Sequence, residues 1–246
     1  MSNEIVKPET AALANLQEEL AAAAKEASAA EQSGGSFLSF KGGMFFNKQP
    51  MKDNRVDAII LDAINVNEFY AEAWDPDVKA SPSCYAFGRG DDMKPHEKVK
   101  APKCAGGCAA CPMNQWGSGN KGGKACKNTK RLALIAASDN PAAEEIVYAK
   151  LSVSQLKAWG AYVKSLAGQF KLPPFAVVTT IQWVPDAKSQ YLLKFLHKTN
   201  VPTDGLEVIM RRVREAREAI TFPFPDFQQT LAESAEEGEK PKRKKF

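Results

Sequence analysis

Histidine is almost missing from this chain of 246 residues: His96 and His197 are the only two. With so few imidazoles, no Ser-His or Cys-His nucleophilic set can be assembled from the sequence. Long apolar runs are also missing, and none approaches the roughly 18 to 20 residues of a membrane-spanning helix. A secretory leader is not visible either, because MSNEIVKPET places Glu4 and Glu9 where a basic and then an apolar region should stand. The expectation is a soluble protein of the cytoplasm with no membrane partner. Cysteine is scarce and odd in number, at five. In a reducing compartment that favours metal ligands or isolated thiols over a disulfide framework. What is present is ordinary for a globular chain, with 44% hydrophobic and 25% charged residues.

Charge is unevenly placed. Residues 1–34 carry two lysines and six glutamates, residues 223–239 carry five acids, and residues 240–246 carry five bases. With flanks of −4, −5 and +5 and a total of +4, the body from 35 to 222 holds +8. Cys84 to Arg131 alone contains ten basic residues against three acids, together with every cysteine. Such a concentration beside candidate metal ligands reads as a polyanion footprint.

The Ala/Glu-rich segment 1–34 ends in Ser-Gly-Gly and has too thin a leucine stripe to bury a face, so it reads as a flexible arm. The segment 223–246 reads as a flexible charged tail. Between them the body reads as strands (SFLSFKGGMFFN, RVDAIILDAINV), a long loop, and strands again (RLALIA, EEIVYAKL). An amphipathic helix follows, with Ser152 and Gln155 spaced as a capping box. The hairpin FAVVTTIQWV–QYLLKFL and a last helix from about Thr203 complete it. The expected fold class is mainly β with α: an OB-fold-like β-barrel with a cysteine-rich insertion at about 84–131, one helix between strands and a C-terminal helix. A generic α+β sandwich fits the same periodicity.

Cys108 and Cys111 form a C-x-x-C knuckle that can present two thiolates to one tetrahedral ion. The other ligands would come from Cys84, Cys104, Cys126 and His96. The string CAACPMNQWGSGNKGGKACKNTKRLALI, from Cys108 to Ile135 and preceded by SPSCYAFG, resembles phage-encoded, zinc-containing single-stranded-DNA-binding proteins of OB-like fold. The resemblance runs more loosely to about residue 198 and covers neither end. It implies one structural Zn2+ held by Cys84, Cys108, Cys111 and Cys126, with Cys104 as an extra thiol. It also implies a role in DNA replication or recombination, with single-stranded DNA as partner and replication proteins recruited through the tails. The chain departs from the usual acidic tail of such proteins, because KPKRKK stands between the last acids and Phe246.

The residues support the same chemistry. Single-strand binders combine lysines on phosphates with aromatic platforms for bases. Lys121, Lys124, Lys127, Lys130 and Arg131 are the candidate phosphate contacts, and Trp74, Tyr85, Phe87 and Trp116 the candidate platforms. Two enzyme-like patterns fail. C-x3-C-x2-C at Cys104, Cys108 and Cys111 resembles a radical SAM motif but lacks the aromatic before its third cysteine and a following barrel pattern. GSGNKGGKAC has Ser118 at the first glycine of a P-loop and Ala125 after the lysine. The expectation is therefore a binder without catalytic residues. Its main competitor is a zinc-stabilised adaptor or regulator that uses the arginine-rich last helix on duplex DNA or a protein.

Overall fold

The computed structural model describes residues 36–46, 48–72, 81–90, 92–104 and 106–224, with only the backbone for Lys121. The arm, the tail from residue 225 and Trp74 lie outside the described residues.

Nine strands form one sheet, mainly antiparallel and curled into a half-barrel. They are β1 (Ser36–Ser39), β2 (Phe45–Phe46), β3 (Gln49–Pro50), β4 (Arg55–Phe69), β5 (Cys84–Gly88), β6 (Lys127–Ala136), β7 (Val147–Leu151), β8 (Val177–Asp186) and β9 (Gln190–Asn200). The order is β3-β2-β1-β7-β6-β4-β8-β9, with β5 also on β4 and β1–β7 the one parallel pair among the described residues. β4 organises the sheet. One edge pairs with β6, while the other is shared by β8 at Arg55–Ala58 and β5 at Asn65–Phe69.

Two helices cover opposite faces. α1 (Leu156–Ser165), continued by a π-turn to Phe170, buries Trp159, Tyr162 and Leu166 against Ile60, Leu132, Leu134 and Leu151. α2 (Leu206–Ala219) buries Ile209, Val213 and Ala216, with Ile220 just beyond, against Ile59, Ile64, Val66, Ala133 and Ile135. Each buried aliphatic of this kind stabilises by roughly 1.5 to 3 kcal/mol. Among the described residues no helix is long and apolar enough to cross a membrane.

A register shift between Ile60 and Asp62 decides what each face of β4 carries. Before it, Ala58 and Ile60 face α1, while Ile59 faces α2. An inserted residue reverses a period-two alternation, so beyond it Ile64 and Val66 join the α2 face. Asn65 and Asn67 are thereby carried onto the α1 face, past the region α1 covers. The capping box at Ser152 does not form. The Gln155 side chain is buried and joins α1 to β9 instead, donating to Tyr191 O at 2.9 Å and accepting from Leu193 N at 2.9 Å.

Candidate metal centre and nucleic-acid face

The loop between β5 and β6 folds back onto the end of the sheet through short backbone ties. Cys108 N donates to Met93 O at 2.7 Å, Asn114 N to Cys111 O at 2.9 Å and Cys126 N to Met113 O at 2.8 Å. Ser118 braces the turn, donating its hydroxyl to Met113 O at 2.9 Å and accepting from Ala125 N at 3.0 Å. Gly119 allows the chain to close here, since a Cβ on it would stand 2.7 Å from Ala125 N and 2.8 Å from the Lys124 carbonyl carbon.

This folding brings all five thiols to one pocket. Cys84, Cys104, Cys108, Cys111 and Cys126 line it together with Asn67, Phe69 and Asn114, around a cavity of about 10 Å³, roughly the room for one water-sized particle. None of the five forms a disulfide. Among the described residues, His, Cys, Asp and Glu side chains form no group of three or more already spaced to hold a metal ion. The donor chemistry nevertheless suits one. Burial, reinforced by neighbouring thiols, pushes Cys104 and Cys126 up to about 12 and raises Cys108. Several thiolates could not share this space without a cation between them. Two hydrogen bonds to sulfur already favour the thiolate form, from the Asn67 side chain to Cys108 and from the Glu68 backbone to Cys126. Such outer donors accompany thiolate–metal sites. Cys104 is a full member of the pocket, within hydrogen-bonding reach of Cys108 and Cys111. His96 is not: its ring stacks on Tyr85 at 5.1 Å and its Nδ1 accepts from Lys98 N.

The candidate nucleic-acid residues divide. Trp116 projects from the loop with 79% of its surface exposed, and the Lys124 ammonium lies 5.8 Å from its ring centre. Lys127 is exposed, with its ammonium on Lys124 O at 3.1 Å. Lys124 is half-buried and donates to Asn114 Oδ1 at 3.3 Å. Lys130 is half-buried against Asn65, and burial draws its pKa down against the opposing field of Asp62.

Three assignments are corrected. Arg131, 7% exposed, does not face solvent phosphate. Its guanidinium donates to Ile220 O and Phe222 O, each at 2.8 Å, and lies 3.8 Å from the Phe222 ring centre. Burial lowers its pKa to about 10, offset by Glu68, so it remains a cation at neutral pH. It ties β6 to the carbonyl end of α2, where a helix favours positive charge. Tyr85, 6% exposed, and the partly buried Phe87 pack into the body instead of standing out as platforms for bases. They form a cluster with His96 and Phe224, because β5 turns them onto the α2 face.

Sequence reasoning missed a second feature. Asn65, Asn67, Asn114, Gln115 and Asn128 line a groove of about 440 Å³ beside the thiol pocket, with Lys124 on one wall and Leu156 of α1 on another. Asn67, Cys108 and Asn114 belong to both spaces and form the partition between them. The spacing Asn-x-Asn in β4 and Asn-x-Lys in β6 carries the signal, but only the register Asn65↔Lys130 and Asn67↔Asn128 joins the two.

Comparison of the chain with protein-family models, curated proteins and solved structures gave no match. The functional reading therefore stands on the residues and their geometry.

Proposed function

We propose that the chain is a single-stranded-DNA-binding protein whose contact loop is braced by one structural zinc ion, in keeping with the phage proteins that Cys108 to Ile135 resemble. The observation that carries this reading is Trp116: a large aromatic held out to solvent, beside Lys124, at the tip of a loop tied down at every turn. An exposed ring next to ammonium groups is the pairing that stacks bases and neutralises phosphates without regard to sequence. Lys127 extends the basic edge, and the half-barrel sheet with its helices is in keeping with an OB-like barrel. Cys84, Cys108, Cys111 and Cys126 would hold the zinc, which supplies rigidity and takes no chemical part. The resemblance favours DNA replication or recombination as the setting.

The duplex-reading alternative has less support. Arg211 and Arg212 of α2 both pair with Glu215, and Arg212 also donates to Glu144 O, so two of that helix's four arginines are engaged within the protein. Fluorescence-anisotropy titration of the full chain with labelled oligo-dT and with duplex of equal length, at low and moderate salt, tests the reading. Salt-sensitive preference for oligo-dT is expected. Preference for duplex, or no binding to either, would overturn it in favour of the adaptor.

A further inference from the structure

Resting on the single-strand reading, we infer that the amide-lined groove beside the thiol pocket is a base-recognition subsite that takes one guanine. The strand is then held non-specifically at Trp116 and read at one position. The groove's volume of about 440 Å³ falls within the range of roughly 300 to 1,000 Å³ typical of small-ligand sites.

The hydrogen bonds fix which atoms remain for a ligand. Lys124 donates to Asn114 Oδ1, and an ammonium can only donate, so the orientation of the Asn114 amide is settled. Its Nδ2 accordingly donates to Cys108 O at 2.8 Å. Asn128 must then turn its Nδ2 towards Asn114 Oδ1, at 2.9 Å, and the same nitrogen meets Asn67 Oδ1 at 2.6 Å. Gln115 spends its Nε2 on Ala109 O and Cys111 O. Two amide oxygens of the lining, Asn128 Oδ1 and Gln115 Oε1, are left without a donor among the described residues. Lys124, on the groove wall, holds one amide oxygen and keeps further N–H groups to give.

A ligand matched to this set must donate to two carbonyls of the same groove and accept from lysine. Guanine does so, with N1–H and the 2-amino group as donors and O6 and N7 as acceptors. Lysine to O6 and N7 is among the commonest specific base contacts. Thymine has a single N–H, and adenine and cytosine carry both donor hydrogens on one amino nitrogen, whereas guanine presents donors on two adjacent nitrogens, N1 and N2. The groove's position adds a physical link to the metal, because the shared partition of Asn67, Cys108 and Asn114 would be fixed when the thiols are fixed.

The test is an anisotropy titration of the full chain with three oligonucleotides: all thymine, thymine with one internal guanine, and the same with inosine in place of that guanine. The guanine strand is expected to bind about tenfold more tightly than all-thymine, and inosine, which lacks the 2-amino group, should lose most of that gain. Asn128→Ala and, independently, the exposed Gln115→Ala should each reduce the guanine preference while leaving all-thymine affinity within about twofold. Equal binding of all three strands by the wild-type chain would overturn the subsite while leaving the single-strand reading intact. Binding of none would overturn both. Full guanine preference in the Gln115→Ala protein, with its unfolding midpoint unchanged, would also refute the assignment.

Discussion

Replacing Arg131 by Met separates two roles that its neighbourhood in the sequence confuses. If the guanidinium is structural, Arg131→Met removes two hydrogen bonds from a charged donor, to Ile220 O and Phe222 O, each worth roughly 1.5 to 3 kcal/mol. It also removes a ring contact at 3.8 Å, worth about 0.5 to 2 kcal/mol. Methionine refills much of the volume, so the net loss should be about 3 to 5 kcal/mol, the usual cost of breaking a buried charged contact. That is a large share of the roughly 5 to 15 kcal/mol that holds a domain folded. Urea unfolding followed by circular dichroism measures it. The slope of log affinity for oligo-dT against log salt should not change at a temperature where the variant is folded. A phosphate contact would instead leave stability near that of the wild type and flatten the slope by about 0.7. That result would refute the structural role.

Three further outcomes follow from the loop. Gly119→Ala should displace the 118–125 turn, because its Cβ would meet Ala125 N at 2.7 Å; proteolysis within the loop should accelerate, and an unchanged digestion rate would count against the close approach. Cys104→Ser should still bind one ion through the other four thiols, whereas combining it with Cys111→Ser, which leaves three, should abolish zinc retention in native mass spectrometry; full zinc content in the double variant would defeat the assignment. In metal-free protein the Cys104 and Cys126 thiols rise from 9.0 to about 12. Their neutral form therefore supports the fold below pH 9, and that support is lost between pH 9 and 12. Alkaline unfolding should begin in that window without zinc, and an unfolding midpoint that stays flat across it would contradict the burial.

Much of the framework can be read from residue order alone. The alternation in FAVVTTIQWV and QYLLKFL specifies the β8–β9 hairpin, and the spacing of Leu156, Trp159, Tyr162 and Leu166 marks α1. Arg131 was legible too. It shares strand parity with Ala133 and Ile135, both buried against α2, and parity outweighs the chemical habit of arginine. Tyr85 and Phe87 were harder, because CYAFG becomes a strand only by pairing with the far end of a 15-residue β4. The groove was hidden for a further reason: a bulge near Leu61 reverses the facing of Asn65 and Asn67, and no local pattern announces it. Convergence of the five thiols likewise depends on loop closure through contacts such as Cys126 N to Met113 O, distant from the C-x-x-C spacing.

The central claim is that an exposed ring on a braced loop holds single-stranded DNA, and Trp116→Ala tests it most directly. Trp116 makes little contact with the body of the protein, so the unfolding midpoint should be preserved. Affinity for oligo-dT, measured by anisotropy across a salt series, should fall by the roughly 1 to 3 kcal/mol that one stacked base contributes, with the salt slope unchanged. Wild-type affinity in the folded Trp116→Ala protein would contradict the account.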